Sequence, residues 1–131
     1  MYCLDTSIVV AIMRGDEQLR KTLQSHVNRG ALLAITPITL CELYKGAFMS
    51  TRPVEALELI SIFLEGVEVL DLFDVACMEF GKQHSTLMKK GKPTQQFDLL
   101  IGVIAKMHDH ILVTRNRKDF EYIEGLKIEQ W

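Results

Sequence analysis

Apolar residues in this chain come in short, near-continuous runs rather than in the alternation of half-buried strands, and stretches with helical spacing separate them. Met1–Leu4, Ala31–Ile35, Val67–Leu70 and Ile111–Val113 are near-continuous apolar segments, and Leu126–Glu129 is a short fifth candidate. Continuous apolar runs of this length belong to strands covered on both faces, as in parallel sheets. Between them lie helical patterns at about Ser7–Arg14, Glu17–Asn28, Pro37–Met49, from Pro53 onward, Val75–Lys90 and Thr94–His108. Thr36-Pro37 is an N-cap followed by proline in the first turn. Strands alternating with helices predict an α/β fold with a mainly parallel, roughly five-stranded sheet flanked by helices.

The chain has 131 residues, 48% of them hydrophobic, which supplies the core of a single domain spanning 1–131. No internal repeat or linker divides it. Apolar stretches such as Ile8–Met13 are too short to span a bilayer, and the N-terminus lacks the basic and apolar regions of a signal peptide. These features predict a cytoplasmic protein with no membrane role. Cys3, Cys41 and Cys77 are odd in number and widely spaced, so they read as reduced thiols in a core rather than a disulfide framework.

Asp5 is the first residue with chemical promise. It closes the opening apolar run, and a carboxylate there stands at the C-terminal edge of a sheet, where open α/β sheets bind ligands. Glu42 falls inside a helix, between Leu40 and Leu43. Asp98 falls inside Phe97-Asp98-Leu99-Leu100-Ile101, part of the most hydrophobic helix, and Asp119 follows the fourth strand. Each has an ordinary explanation. Asp5 can cap the first helix, Glu42 can complete a capping box with Thr39, Asp98 can pair with a helix dipole, and Asp119 can close a cap begun by Asn116. Carboxylates in apolar helices are nevertheless seldom buried without a partner. Four that converge are unstable without a cation, and oxygen ligands favour Mg²⁺ or Mn²⁺.

Net charge is −2, which by itself speaks against a nucleic-acid partner. Setting the four acids aside leaves 15 basic against 13 acidic residues. Basic residues cluster before two of the four: Lys89, Lys90 and Lys92 before Asp98, and Arg115, Arg117 and Lys118 before Asp119. His108 and His110 form an H-x-H beside the fourth strand and read as a surface pair, since so short a motif has little specificity.

Taken together, Leu4-Asp5-Thr6-Ser7, the helix Ile38 to Ala47 around Glu42, Gly91-Lys92-Pro93 with Phe97-Asp98-Leu99-Leu100-Ile101, and Leu112-Val113-Thr114-Arg115-Asn116 with Asp119-Phe120 resemble the PIN domain. More narrowly, they resemble the VapC toxins of bacterial type II toxin–antitoxin pairs. The likeness runs the length of the chain, to the tail Gly125-Leu126-Lys127 through Trp131. It implies a PIN-like α/β/α sandwich and a Mg²⁺- or Mn²⁺-dependent endoribonuclease that blocks translation, with tRNA as the expected substrate. It also implies a VapB-like antitoxin partner, a homodimer and a higher toxin–antitoxin assembly. Asp5, Glu42 and Asp98 match the three best-defined acids of the family. The fourth position falls to Asp119, with Asn116 as a polar supporting residue. Ser7 and Thr114 would sit at the rim, and Lys92, Arg115 and Arg117 would meet the RNA backbone.

Two other classes compete. A phosphorelay receiver needs an acidic pair after the first strand, but Thr6-Ser7 follow Asp5, and although Asp71 ends the third strand no matching lysine is evident. A non-catalytic interaction protein on the same fold is the stronger alternative, and cleavage assays separate it from a nuclease.

Overall fold

Three short strands divide the core in two. The structure is a computed structural model describing residues 1–131. Its sheet contains β1 (Tyr2–Leu4), β2 (Leu33–Ile35), β3 (Glu68–Val69), β4 (Ile111–Val113) and β5 (Ile128–Glu129), in the order β3-β2-β1-β4-β5. All four pairings are parallel, with Cys3 opposite both Ala34 and Leu112, and Leu4 opposite Val113. Successive strand side chains point to opposite faces. Cys3, Ala34 and Leu112 therefore share one face and one hydrophobic cluster, while Leu4, Ile35 and Val113 share the other.

The second face is covered by α1 (Thr6–Met13), α2 (Glu17–Asn28), α3 (Pro37–Met49) and α4 (Pro53–Leu64), which contribute Ile8, Val9, Ile12, Leu19, Leu43, Ala47 and Ile60. The first is covered by α5 (Asp74–Lys89) and α6 (Gln96–Met107). Helix α6 is buried without a break from Ile101 to Ala105. A helix apolar nearly all round is one that packs on several sides. Here it lies between the sheet, α5 and a C-terminal segment led by Phe120 and Ile123.

Local signals match the helix starts. Thr36 accepts from the Thr39 N–H at 3.2 Å, with Pro37 opening α3, and Asp16 accepts from Leu19 N–H at 3.0 Å to cap α2. The sequence reading differs in several places, among them β2, which begins at Leu33 rather than Ala31. The third strand is two exposed residues at the sheet edge rather than a buried run, because an edge strand has a partner on one side only. Helix α6 begins at Gln96 rather than Thr94. Only Cys3 among the cysteines lies in the core, and His110 is buried rather than on the surface, with its Nδ1 2.8 Å from the His108 carbonyl. The receiver alternative also fails on topology. Receivers place their third strand next to the first, whereas β3 here is an edge strand separated from β1 by β2. No helix is long and apolar enough to cross a membrane.

One glycine decides how the C-terminal segment docks. A Cβ on Gly102 would overlap Ile123 Cδ1 and crowd Leu126 Cδ2 at 3.2 Å. Gly102 lies four residues after Asp98, hence on the same face of α6. The face that carries Asp98 at its top thus receives the Phe120–Leu126 turn one helical turn below. Lys106 Nζ, 2.7 Å from Glu79 Oε1, pairs α6 with α5, and Gln83 reaches from Glu79 to the Glu124 carbonyl in that turn. Gly102→Ala is expected to destabilise the protein by about 1–3 kcal/mol through overpacking. Adding Ile123→Val, which removes the obstructing Cδ1, should recover most of the loss. Urea unfolding of the single and double variants measures both, and a Gly102→Ala protein as stable as wild type would mean the turn docks loosely.

Candidate active site

Each of the three central strands ends in a buried polar residue. Thr36 follows β2, Asp5 follows β1 and Thr114 follows β4, and their exposures are 0%, 5% and 0%. By alternation all three point to the face that carries Cys3, Ala34 and Leu112. The β1–β4 junction is where the strand order reverses, the place where such sheets form a crevice. Asp5 and Thr114 sit on it.

Asp5 is held from three sides. Its Oδ1 accepts from the Thr6 N–H at 2.7 Å. Its Oδ2 accepts from the Ser7 hydroxyl at 3.0 Å and the Thr114 hydroxyl at 2.9 Å. The Thr114 oxygen in turn accepts from the Asn116 N–H at 3.0 Å, which leaves its proton for Asp5. Asp5 does cap α1, as the ordinary reading has it, and it carries more than a cap. Burial raises its pKa despite these three donors, and the charge of Asp119 adds to the rise.

Glu42 stands within α3, whose cap is Thr36, so the proposed capping box with Thr39 is not its role. Instead the Thr6 hydroxyl donates to Glu42 Oε1 at 2.8 Å. Thr6 also lies 3.1 Å from Thr39 Oγ1. Thr6 has one proton, already given to the carboxylate, so Thr39 is the donor in that contact. A line of hydroxyls thus joins the end of β2 to Glu42. Sequence reasoning missed Thr6 and Thr39. The signal was present in Thr6, the residue next to Asp5 in the first turn of α1, but its partner lies 36 positions away.

Asp98 lies in the first turn of α6, half-buried, where Gln95 offers no side-chain cap. Its pKa is pushed up to about 6, first by burial and then by the charges of Asp5, Asp119 and Glu42. The fold therefore brings the other three sequence-distant acids within electrostatic reach of the Asp98 carboxyl. Asp119 ends a single 3-10 turn, Arg117–Asp119, and its N–H donates to the Asn116 carbonyl at 2.9 Å. The Asn116 side chain forms no cap there. The acid felt by Asp5 and Asp98 from this loop is Asp119.

The donor set suits a hard divalent cation, being all carboxylate and hydroxyl oxygen. As the side chains stand, no three histidine, cysteine or acidic residues close into a ready-made cage. The fit rests on oxygen chemistry and on mutual repulsion that a cation would relieve.

Basic residues line the cleft unevenly. Lys92 and Lys118 flank Asp98 and Asp119, together with Thr94 and Tyr122. Lys118, passed over as a backbone contact in the sequence reading, faces both this cleft and a neighbouring all-polar one lined by Arg115, Arg117 and Gln130. Arg117 Nη1 lies 3.3 Å from the Ile128 carbonyl. Arg115 is already engaged, because its guanidinium pairs with Asp16, the cap of α2, whose pKa is lowered first by the Leu19 N–H and then by Arg115. Its first role is to tie the loop after β4 to the α1–α2 turn.

A family model described as the PIN domain matches residues 2–126. The chain is 32% identical over 131 residues to Ribonuclease VapC1 of Haemophilus influenzae (strain R2866), covering 100% of this chain and 98% of that protein. It is also 32% identical to the tRNA(fMet)-specific endonuclease VapC of Salmonella typhimurium, covering 99% and 97%. Among solved structures, VapBC2 from Rickettsia felis bound to a DNA fragment from their promoter matches with a TM-score of 0.91 at 29% identity, over 99% of this chain and 98% of that one. DNA-bound VapBC from Salmonella typhimurium matches with a TM-score of 0.90 at 31% identity, over 99% and 97%.

The raised Asp98 pKa makes a stability prediction. A carboxyl with a folded-state pKa near 6 and an unfolded value near 4 binds a proton more tightly when folded. Its contribution is present in full below the unfolded value and is lost as pH rises through about 6. In EDTA the wild type should therefore melt higher at pH 5 than at pH 7.5, once the pH dependence of Asp98→Asn is subtracted. Asp98→Asn should also melt above wild type at pH 7.5. Matching profiles for the two proteins would remove the electrostatic basis of the site.

Proposed function

The chain belongs to the PIN-domain family, in its VapC branch, and from that premise we propose that it is the toxin of a type II toxin–antitoxin pair and a Mg²⁺- or Mn²⁺-dependent endoribonuclease. The observation that carries this reading is the shared charge of Asp5, Glu42 and Asp119 on Asp98. A phosphodiester is anionic, so four carboxylates alone would repel it. A bound divalent cation would reverse the local charge, polarise the phosphate and acidify a water. Asp5 and Asp98 are the residues to hold it. Asp5 is fixed by Ser7, Thr114 and Thr6, and its Oδ1 has accepted only one hydrogen bond. Glu42, steered by Thr6, and Asp119 orient the attacking water or complete the ligand set. Lys92, Lys118 and Arg117 face the RNA phosphates, and each such contact adds a salt-dependent term. Attack of water with cleavage of the P–O3′ bond leaves a 5′-phosphate and a 3′-hydroxyl.

The likeness to a tRNA(fMet)-specific endonuclease supports tRNA, and initiator tRNA in particular, as the substrate through which translation is blocked. The likeness to VapBC complexes supports a VapB-like antitoxin as partner. A groove bounded by Val10, Met13, Leu43, Ala47, Leu59 and Ile60, with Glu42 at its edge, suits an amphipathic antitoxin segment reaching the site. Exposed Phe48, Met49, Val54 and Ile62 on α3 and α4 provide apolar surface for a homodimer or the higher assembly.

Purified protein should cleave tRNA with Mg²⁺ or Mn²⁺ and not in EDTA. Asp5→Asn and Asp98→Asn should each lower the rate by orders of magnitude, and either variant cleaving at the wild-type rate with metal still required would sink the assignment. Asp119→Asn should impair cleavage more than Asn116→Ala, and the reverse order would hand the fourth position to Asn116. Expression alone should arrest growth, with relief on co-expression of the antitoxin. Harmless expression of folded wild type would favour the non-catalytic alternative.

A further inference from the structure

Two buried hydroxyls beside the acidic cleft, Thr94 and Tyr122, have no partner beyond each other. Tyr122 packs its ring against the core cluster that includes Phe120 and Ile123, and its phenol end reaches the cleft wall formed with Thr94, Asp98 and Asp119. The phenol oxygen and Thr94 Oγ1 are both shut off from solvent, and neither completes a hydrogen bond to any protein atom. The two oxygens face each other without ideal hydrogen-bond geometry; burial raises the phenol pKa, the Thr94 hydroxyl holds it down, and the charges of Asp98 and Asp119 add to the rise, so the phenol proton itself has no acceptor. Buried side-chain oxygens elsewhere in the site are satisfied: those of Asp5, Thr36, Thr39 and Thr114 all have partners. Leaving a buried hydroxyl unpaired costs its desolvation without return. Two such groups side by side, against carboxylates that can only accept, are arranged for a bond made in another state of the site.

We propose that Tyr122 is a positioning residue for Asp98: when the carboxylates are drawn onto a divalent cation, the phenol donates its proton to the outer oxygen of Asp98 while its own oxygen accepts from Thr94. The donor count closes, because each hydroxyl gives one proton and the carboxylate only accepts. The inference rests on the metal-dependent reading above. Hydrogen bonds to a ligand's free atom set its orientation, and losing one typically lowers metal affinity 10–100-fold. The placement follows from the fold, since docking of the C-terminal turn at Gly102 delivers Asp119 and Tyr122 together to the α6 face that carries Asp98.

Two readouts with opposite signs test this. Tyr122→Phe keeps the ring and removes a buried hydroxyl whose proton has no acceptor, so in EDTA it should melt at or above wild type. Titrated with Mn²⁺ alone, it should bind about 10-fold or more weakly. Thr94→Val should shift both readouts in the same directions by less. Saturating Mn²⁺ should return tRNA cleavage by Tyr122→Phe close to the wild-type rate, because an orienting bond is lost and not a ligand. A purely structural tyrosine would leave Mn²⁺ affinity unchanged, and a wild-type Kd for Tyr122→Phe overturns the proposal while leaving the nuclease reading intact. Failure of the wild type itself to bind Mn²⁺ overturns both. Cleavage that stays lost at saturating Mn²⁺ also overturns it, by making the phenol a catalytic group.

Discussion

Mutual repulsion among four carboxylates at one edge of a parallel sheet is the constraint to which the rest of this molecule answers. Asp98 feels Asp5, Asp119 and Glu42 at once, and its pKa moves to about 6. A fold selected for stability alone would separate these charges or pair them with arginine. Here the nearby cations stand at the rim or are taken up elsewhere, as Arg115 is by Asp16 and Lys106 by Glu79. Stability is given up locally and retained by the two apolar layers on either side of the sheet. Such local cost is common where a site needs a charge that the fold does not.

Hydroxyls hold the acids in place at little electrostatic cost. Ser7 and Thr114 fix Asp5, and Thr6 fixes Glu42, with Thr39 and Thr36 behind it. A lysine or arginine in these positions would neutralise the carboxylates and compete with a cation. A neutral donor orients a carboxylate and leaves its charge available. Thr114, at the end of β4, is such a donor to Asp5, while Thr36, at the end of β2, caps α3. A short β-branched side chain suits the strand end and still carries a proton to give.

Packing at a distance from the cleft sets its shape. The Phe120–Leu126 turn reaches α6 only because Gly102 has no side chain, and that contact brings Asp119 and Tyr122 toward Asp98. The Glu79, Gln83 and Lys106 network anchors the same turn from the α5 side. The fourth acid therefore depends on contacts that involve no carboxylate of the site. Substitutions there can move Asp119 and Tyr122 while leaving every acid in the chain.

Much of the fold was legible in the sequence because its signals are local. The Thr36-Pro37 start of α3, the extent of α2, the short continuous apolar strands and the strand–helix alternation all depend on neighbours within a few positions. Asp5 stood out for the same reason, being the residue that follows the first apolar run. What the sequence left open depends on register and on contacts far apart in the chain. That Asp5 meets Thr114 follows from Leu4 pairing with Val113, and that Thr6 steers Glu42 follows from how α1 lies on α3. Arg115 looked free to meet RNA because nothing in the local sequence shows Asp16 waiting 99 residues away. Nothing in the local sequence marks Tyr122, since a buried hydroxyl whose proton lacks an acceptor can be recognised only when every possible partner has been placed. Residue order determined which groups were available and which elements would carry them. Tertiary structure alone decided which charges face each other, because electrostatic energy depends on distance in space and not along the chain.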